Sequence, residues 1–382
     1  MKRVRILSLF FVFVFLFGTF NSTFALDIKE TNMELKAKSA VLMDVNTGTV
    51  LYEKNAHEAL PPASVTKIMT LLLIFEAIDS GKLKYDDLIT VSEYASSMGG
   101  SQVFLEPGEE MSVHELLKCV VVASANDAAV ALAEAVGGGE ATFVEMMNSR
   151  AKELGMKNTH FENVTGLDDD VTNHVISAYD IALMSKELLS HEKITEYTTI
   201  WMDTIRNGEF GLSNTNRLVK FFKGITGLKT GYTSGAGFCI SASAKRGGMH
   251  LVAVIMGSST SNERNVEASR LLEFGFANYC VYSDESELCG TIEVPNGIKD
   301  SIGIYHNSVS ILENSGKNKN VTKEIVINDS VCAPLRKGDV VGRVIYRVGD
   351  ETIGETEILV AEDVLELTYF QYLLRVFKNF IF

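Results

Sequence analysis

The 382-residue chain has only five cysteines, five prolines and one tryptophan. An odd cysteine count with no C-x-x-C pair signals neither a zinc site nor a regular disulfide framework. Cys119, Cys239, Cys280, Cys289 and Cys332 therefore read mainly as core packing, with a Cys280–Cys289 pairing left open. Scarce proline beside 46% hydrophobic and 22% charged residues excludes disordered, collagenous and disulfide-dense classes. Metal and cofactor signatures are missing as well. His57-Glu58 and His114-Glu115 begin an H-E-x-x-H pattern, but its fifth positions hold Pro61 and Lys118. Gly224 to Thr230 resembles a phosphate loop, yet Leu228 stands where glycine must precede the lysine. No cofactor and no metal are implied. Positive charge is in deficit too, with a formal net charge of −14. The first 25 residues carry only Lys2, Arg3 and Arg5, so their removal leaves −17. Such a surface repels phosphate backbones, which argues against a nucleic-acid partner.

A membrane-spanning run is the last absence. The apolar stretch Ile6–Phe17 has about twelve residues, against the roughly 20 that cross a hydrocarbon core. Behind a basic start and before Thr23-Phe24-Ala25, it reads as a signal peptide over residues 1–25, cleaved after Ala25, and predicts export.

What remains has the periodicity of an α+β protein. Val41-Leu42-Met43 and Val50-Leu51-Tyr52 flank Asn46-Thr47-Gly48, a hairpin signal. Pro61 and Pro62 break the chain before Ser64, and Val65–Ile78 is apolar all round, as a buried helix is. Helical patterns dominate Val91–His191. They include Val113–Val122 and Ala128–Val136, the latter stopped by Gly137-Gly138-Gly139. Strand patterns follow over Gly227–Ala244 and Leu251–Gly257, and then a helix over Val266–Phe276. Helices set between early and late strands predict a mostly antiparallel sheet flanked by helices, over residues 35–283. Short β-branched runs between polar turns predict a small all-β domain over 284–360.

Residues 361–382 predict an amphipathic helix. At 100° per residue Thr368, Gln371, Arg375, Lys378 and Asn379 share one strip. Leu365, Tyr369, Tyr372, Leu373, Val376, Phe377, Phe380 and Ile381 fill the opposite face. Such a helix either docks on its own protein or lies in a lipid interface, and its aromatic and basic residues favour the interface.

Three short motifs carry chemistry. Ser64-Val65-Thr66-Lys67 is S-x-x-K, whose spacing sets the amine on the serine's face of a helix. A serine hydroxyl needs a base, and lysine serves when burial and nearby positive charge lower its pKa. Ser124-Ala125-Asn126 is S-x-N between two helical runs, able to relay a proton and hold an amine or carbonyl. Lys229-Thr230-Gly231 is K-T-G entering a strand, where a cation and a hydroxyl bind a carboxylate and glycine admits a peptide. Singly each motif is common and uninformative. The ordered triple is the set of the serine penicillin-binding enzymes.

From about Ala37 to Gly275 the chain resembles the D-alanyl-D-alanine carboxypeptidases, the low-molecular-mass penicillin-binding proteins. The resemblance rests on Pro62–Thr70, Phe104–Gly108, Ser124–Ala128, Asn214-x-Asn216-x-Leu218 and Gly227–Thr233. It extends to a β-rich C-terminal domain and a terminal anchor. Ala125 stands where relatives often have glycine. The resemblance implies that Ser64 attacks the peptide bond between the terminal D-alanines of a peptidoglycan stem pentapeptide, with Lys67 as base. Ser124 and Asn126 would assist, Lys229 and Thr230 would hold the terminal carboxylate, and Gly231-Tyr232 would line the substrate strand. The oxyanion hole would be the backbone N–H groups of Ser64 and Tyr232. β-Lactams would acylate the same serine. The implied location is the outer face of the cytoplasmic membrane and the cell-wall space. His160 and His174 read as structural. A β-lactamase, whose nearest candidate for a water-activating glutamate is Glu162, and a non-catalytic wall-binding scaffold are the competing readings.

Overall fold

The computed structural model describes residues 33–168, 171–315 and 320–381. The expected signal peptide lies outside them. At the centre is a five-stranded antiparallel sheet, ordered Val50–Lys54, Ser39–Asp44, Met249–Ser258, Gly237–Arg246 and Ile225–Thr233. The first two strands form the expected hairpin. The Asp44 carboxylate accepts the Thr47 N–H at 2.9 Å and Gly48 turns the chain with a φ of +76°.

Strand alternation divides the core in two. Val41, Met43, Val252, Val254 and Met256 face the main helical layer. Ala40, Leu42, Leu251, Ala253 and Ile255 face the helix Ser261–Asn278. Covered on both sides, these strands are continuously apolar rather than alternating. The helix Lys67–Asp79 sits inside the helical layer with Lys67 to Phe75 all buried, so its sequence shows no polar stripe.

A second antiparallel sheet is ordered Leu288–Glu293, Ser301–His306, Glu351–Val360, Val340–Val348 and Val321–Ile327. It encloses a third core that includes Ile302, Ile304, Val344, Tyr346 and Ile358. Tyr279–Asp284, which follows directly on the long helix, pairs with Val309–Asn314. The strand-rich region thus begins a few residues before the expected start at 284. No disulfide links Cys280 and Cys289; their thiols donate instead to the Asn314 and Ile304 carbonyls at 3.7 and 3.6 Å. The chain closes in a helix, Tyr369–Ile381.

Candidate active site

The proline break becomes a 3-10 turn, Ala63–Thr66, leading into the helix Lys67–Asp79. Ser64 is half-buried on this turn, and Lys67, one turn on, is fully buried. Lys67 Nζ lies 3.0 Å from Ser64 Oγ, 2.5 Å from Asn126 Oδ1 and 2.9 Å from the Thr165 carbonyl oxygen. The Asn126 amide is oriented by its Nδ2, which donates to the Gly99 carbonyl at 2.7 Å. Two of the three partners of Lys67 are therefore acceptors only. A neutral amine has two N–H bonds for those acceptors and one lone pair left, directed at the serine hydroxyl.

Electrostatics favour that neutral form. Burial is the first cause holding Lys67 well below the usual lysine range, the charge of Lys229 is the second, and Asp127 opposes both. Asp127 is itself saturated: its carboxylate accepts the backbone N–H groups of Val103 and Leu105 at 3.1 Å and of Ala128 at 2.9 Å. It thereby fixes the loop whose Gly99 carbonyl orients Asn126.

S-x-N occupies the break between helices, as its spacing suggests. Ser124 adopts a left-handed conformation (φ +62°) at the end of a π-helical turn, Cys119–Ala123, and Asn126 opens the helix Asn126–Gly137. The K-T-G strand supplies Lys229, whose Nζ donates to Ser124 Oγ at 2.7 Å and to the Thr230 carbonyl at 3.1 Å. Burial first, then Arg264, lower the Lys229 pKa to about 7. Thr230 Oγ1 donates to Thr215 Oγ1 at 2.8 Å. Gly231 is required by proximity: a Cβ there would lie 2.8 Å from the Pro62 carbonyl oxygen and 3.0 Å from Ser64 N. Tyr232 is exposed at the strand's outer end and stacks on Phe238 with ring centroids 4.2 Å apart. Asn216 tethers this strand by donating to the Gly227 carbonyl at 3.2 Å, while Asn214 donates to the Ile200 carbonyl at 2.7 Å.

The structure thus gathers Ser64, Lys67, Ser124, Asn126, Lys229, Thr230 and Gly231 around one locus, with Tyr232 at its lip. It adds participants that side-chain motifs do not reveal. Thr165 contributes a backbone carbonyl from an Asx-type turn in which Asn163 Oδ1 accepts Thr165 N–H and Gly166 N–H at 3.1 and 2.7 Å. Gly166 has a φ of +80°, and a Cβ there would fall 1.8 Å from the Ala63 carbonyl oxygen. Asn163-x-x-Gly166 is the sequence signal that could have pointed to this turn.

His174 braces the turn that carries Ser64. Its Nδ1 accepts Glu162 N–H at 3.0 Å, so Nε2–H faces Thr66 Oγ1 at 2.8 Å. Burial is the main cause that lowers its pKa to about 4. The unfolded chain binds a proton near 6.5, the folded chain only near 4. Stability from this residue is thus complete above about pH 6.5 and lost as pH falls toward 4, by up to about 3 kcal/mol. His174→Gln should flatten that part of the profile. Urea unfolding at pH 7 and pH 4.5 checks this, because a variant that loses as much stability on acidification as the parent contradicts it.

A hydroxyl against a buried lysine amine whose pKa is lowered, with a second buried lysine beside a glycine-bearing strand, is suited to acyl transfer on a peptide with a free carboxylate. Comparisons with known proteins agree. The family profile described as D-alanyl-D-alanine carboxypeptidase matches residues 27–260, and that of the penicillin-binding protein 5 C-terminal domain matches 276–366. The chain is 44% identical over 380 residues to D-alanyl-D-alanine carboxypeptidase DacF of Bacillus subtilis, covering 97% of each chain. Penicillin-binding protein 5 from Haemophilus influenzae superposes with a TM-score of 0.77 at 32% identity, covering 88% of this chain and all of that one. Penicillin-binding protein D2 from Listeria monocytogenes, solved in its ampicillin-bound form, matches with a TM-score of 0.57 at 34% identity over 65% of this chain and all of that one. On this geometry and these matches, the chain belongs to the D-alanyl-D-alanine carboxypeptidase family and is a serine-type enzyme of the penicillin-binding class.

Proposed function

We propose that Ser64 is the nucleophile and Lys67 its base in removing the terminal D-alanine from peptidoglycan stem peptides. Lys67 Nζ takes the Ser64 proton as Oγ bonds to the carbonyl carbon between the two D-alanines. The oxyanion is held by the backbone N–H groups of Ser64 and Tyr232, which the close approach of Gly231 to Ser64 N supports. The Lys67 proton reaches the departing amine through Ser124 as the C–N bond breaks, Asn126 holding amine and substrate in register. Lys229 and Thr230 bind the terminal carboxylate. Water then attacks the ester, again with Lys67 as base, and frees Ser64. The observation that carries this reading is the 3.0 Å Lys67–Ser64 contact, with the amine's other two directions taken by acceptors.

Incubation with diacetyl-lysyl-D-alanyl-D-alanine should release one free D-alanine per peptide; no release supports the scaffold reading. A β-lactamase would need a glutamate poised on the deacylating water. Glu162 is engaged elsewhere, accepting the N–H groups of Thr172 and Asn173, each at 3.0 Å. Penicillin should accordingly leave a long-lived adduct rather than turn over.

We further propose export after cleavage at Ala25, a β-rich unit over 284–360 and a membrane-surface anchor over 361–382. The family match starts at residue 27, just past the expected cleavage. Among the described residues no helix is long and apolar enough to cross a membrane. In the terminal helix one residue of the polar strip meets the protein: Arg375 pairs with Asp300 at 3.0 Å and donates to the Ile298 carbonyl at 3.2 Å. Tyr369, Tyr372 and Phe377 are left exposed on the other side, which supports lipid contact over self-docking. Deleting residues 368–382 should release the protein from anionic vesicles without changing peptide turnover. Unchanged co-sedimentation contradicts the anchor.

A further inference from the structure

Away from the catalytic groups, the C-terminal β-rich region gathers three ligand-type side chains. Asp284 ends the strand Tyr279–Asp284, Glu287 lies in the turn that follows, and His306 ends Ser301–His306. One ligand atom from each falls within 4.8 Å of the other two. His306 is 1% exposed, and its Nδ1 faces the Asn307 carbonyl oxygen at 2.8 Å. A carbonyl only accepts, so Nδ1 carries a proton and Nε2 is the ring nitrogen left to face the carboxylates. That Nε2 is buried and has no hydrogen-bond partner. It points at Asp284 Oδ2, 3.6 Å away, and Glu287 Oε1, 4.0 Å away, both too far for hydrogen bonds. A buried ring nitrogen with no hydrogen bond, facing two carboxylates, is left uncompensated unless a proton or a metal ion lies between it and them.

We propose that Asp284, Glu287 and His306 bind a divalent first-row transition metal, with Zn2+ the best match. Imidazole nitrogen with carboxylate oxygen suits this ion, and water completes four-coordination. Ligand bonds of about 2.0–2.1 Å in a tetrahedron separate neighbouring ligand atoms by about 3.4 Å, so side-chain shifts of about an ångström, chiefly of the exposed Glu287, close the site. Outer partners are in place. The Asn307 carbonyl fixes the imidazole tautomer, and the Tyr346 hydroxyl donates to Asp284 Oδ2 at 2.7 Å. Lys323 now donates to Asp284 Oδ1 at 2.7 Å and to Glu287 Oε1 at 3.3 Å. One ammonium leaves one of two carboxylate charges unbalanced, and its side chain, 36% exposed, has room to withdraw. The metal therefore competes with Lys323. Once bound, it ties the turn after residue 284 to the end of Ser301–His306.

The test uses the untagged full chain, stripped with a chelator, titrated with Co2+ for its ligand-field absorption and then with Zn2+ in competition. The expected result is one equivalent of saturable uptake. Tyr346→Phe should weaken it about 10- to 100-fold, and His306→Gln and Glu287→Gln by at least as much. Lys323→Ala should tighten it at least ~10-fold, which an ion-pair network without a metal role does not predict. Glu287 is 60% exposed, so its variant keeps the fold even if His306→Gln does not. Absence of saturable uptake in both the parent and Lys323→Ala overturns the proposal, as does uptake unchanged by Glu287→Gln.

Discussion

Ser64→Ala is expected to abolish covalent labelling by a fluorescent penicillin and to lower kcat/KM for the tripeptide by at least about 10⁴-fold. Ser124, the other serine of the site, is not placed to substitute for Ser64. Ser124 Oγ is held by Lys229, whose pKa near 7 leaves it partly charged, and it sits behind a left-handed turn rather than on the turn that borders Gly231. The substitution costs little stability. Ser64 is half-buried, and its side chain meets the Lys67 amine, so the change should stay within roughly 1 kcal/mol. Lost labelling with an unchanged unfolding curve is the expected combination. Continued labelling at full stoichiometry removes Ser64 from the mechanism.

Replacing Lys67 should be nearly as damaging, and the choice of substituent separates charge from basicity. Lys67→Met removes the proton acceptor and should slow acylation by 10²-fold or more, toward about 10⁴-fold. It also strands Asn126 Oδ1 and the Thr165 carbonyl, a cost of roughly 1–3 kcal/mol for each buried acceptor left unsatisfied. Lys67→Arg keeps a donor for both acceptors and a permanent positive charge, but has no lone pair at neutral pH. If Lys67 acts as a base, the arginine variant is as slow as methionine. If it acts only as a cation near the oxyanion, arginine retains most of the rate. Stopped-flow acylation by a chromogenic β-lactam distinguishes these outcomes.

The residue types of the site were legible in the sequence because each motif lies on an element with its own local signal. Pro61-Pro62 followed by an unbroken apolar run places Ser64 and Lys67 at a helix start. Strand-like Gly227–Ala244 places Lys229 on an edge, and the glycines after Val136 end the helix that begins at Asn126. What stayed hidden is backbone or burial. The Thr165 and Gly99 carbonyls work through main-chain atoms, which no residue type advertises. Asp127 is charged and reads as surface, yet it is fully buried and consumed by backbone N–H groups. The left-handed conformations of Ala63 and Ser124 fall on non-glycine residues, where only surrounding packing sustains them. The cluster of Asp284, Glu287 and His306 has no recognised metal spacing, because strand pairing rather than sequence distance brings it together. The amphipathic pattern of the terminal helix was readable; the contact of Arg375 with Asp300 was not, because it depends on tertiary placement.

The account rests on Lys67 being an uncharged amine in the resting enzyme, and its side-chain NMR titration reports that directly. In protein labelled with 15N at lysine Nζ, the Lys67 signal is assigned by its disappearance in Lys67→Met. It should sit in the neutral-amine range at a pH where the surface lysines are still ammonium ions, as burial beside Lys229 requires. A Lys67 signal that stays in the ammonium range until the surface lysines themselves titrate would contradict the mechanism.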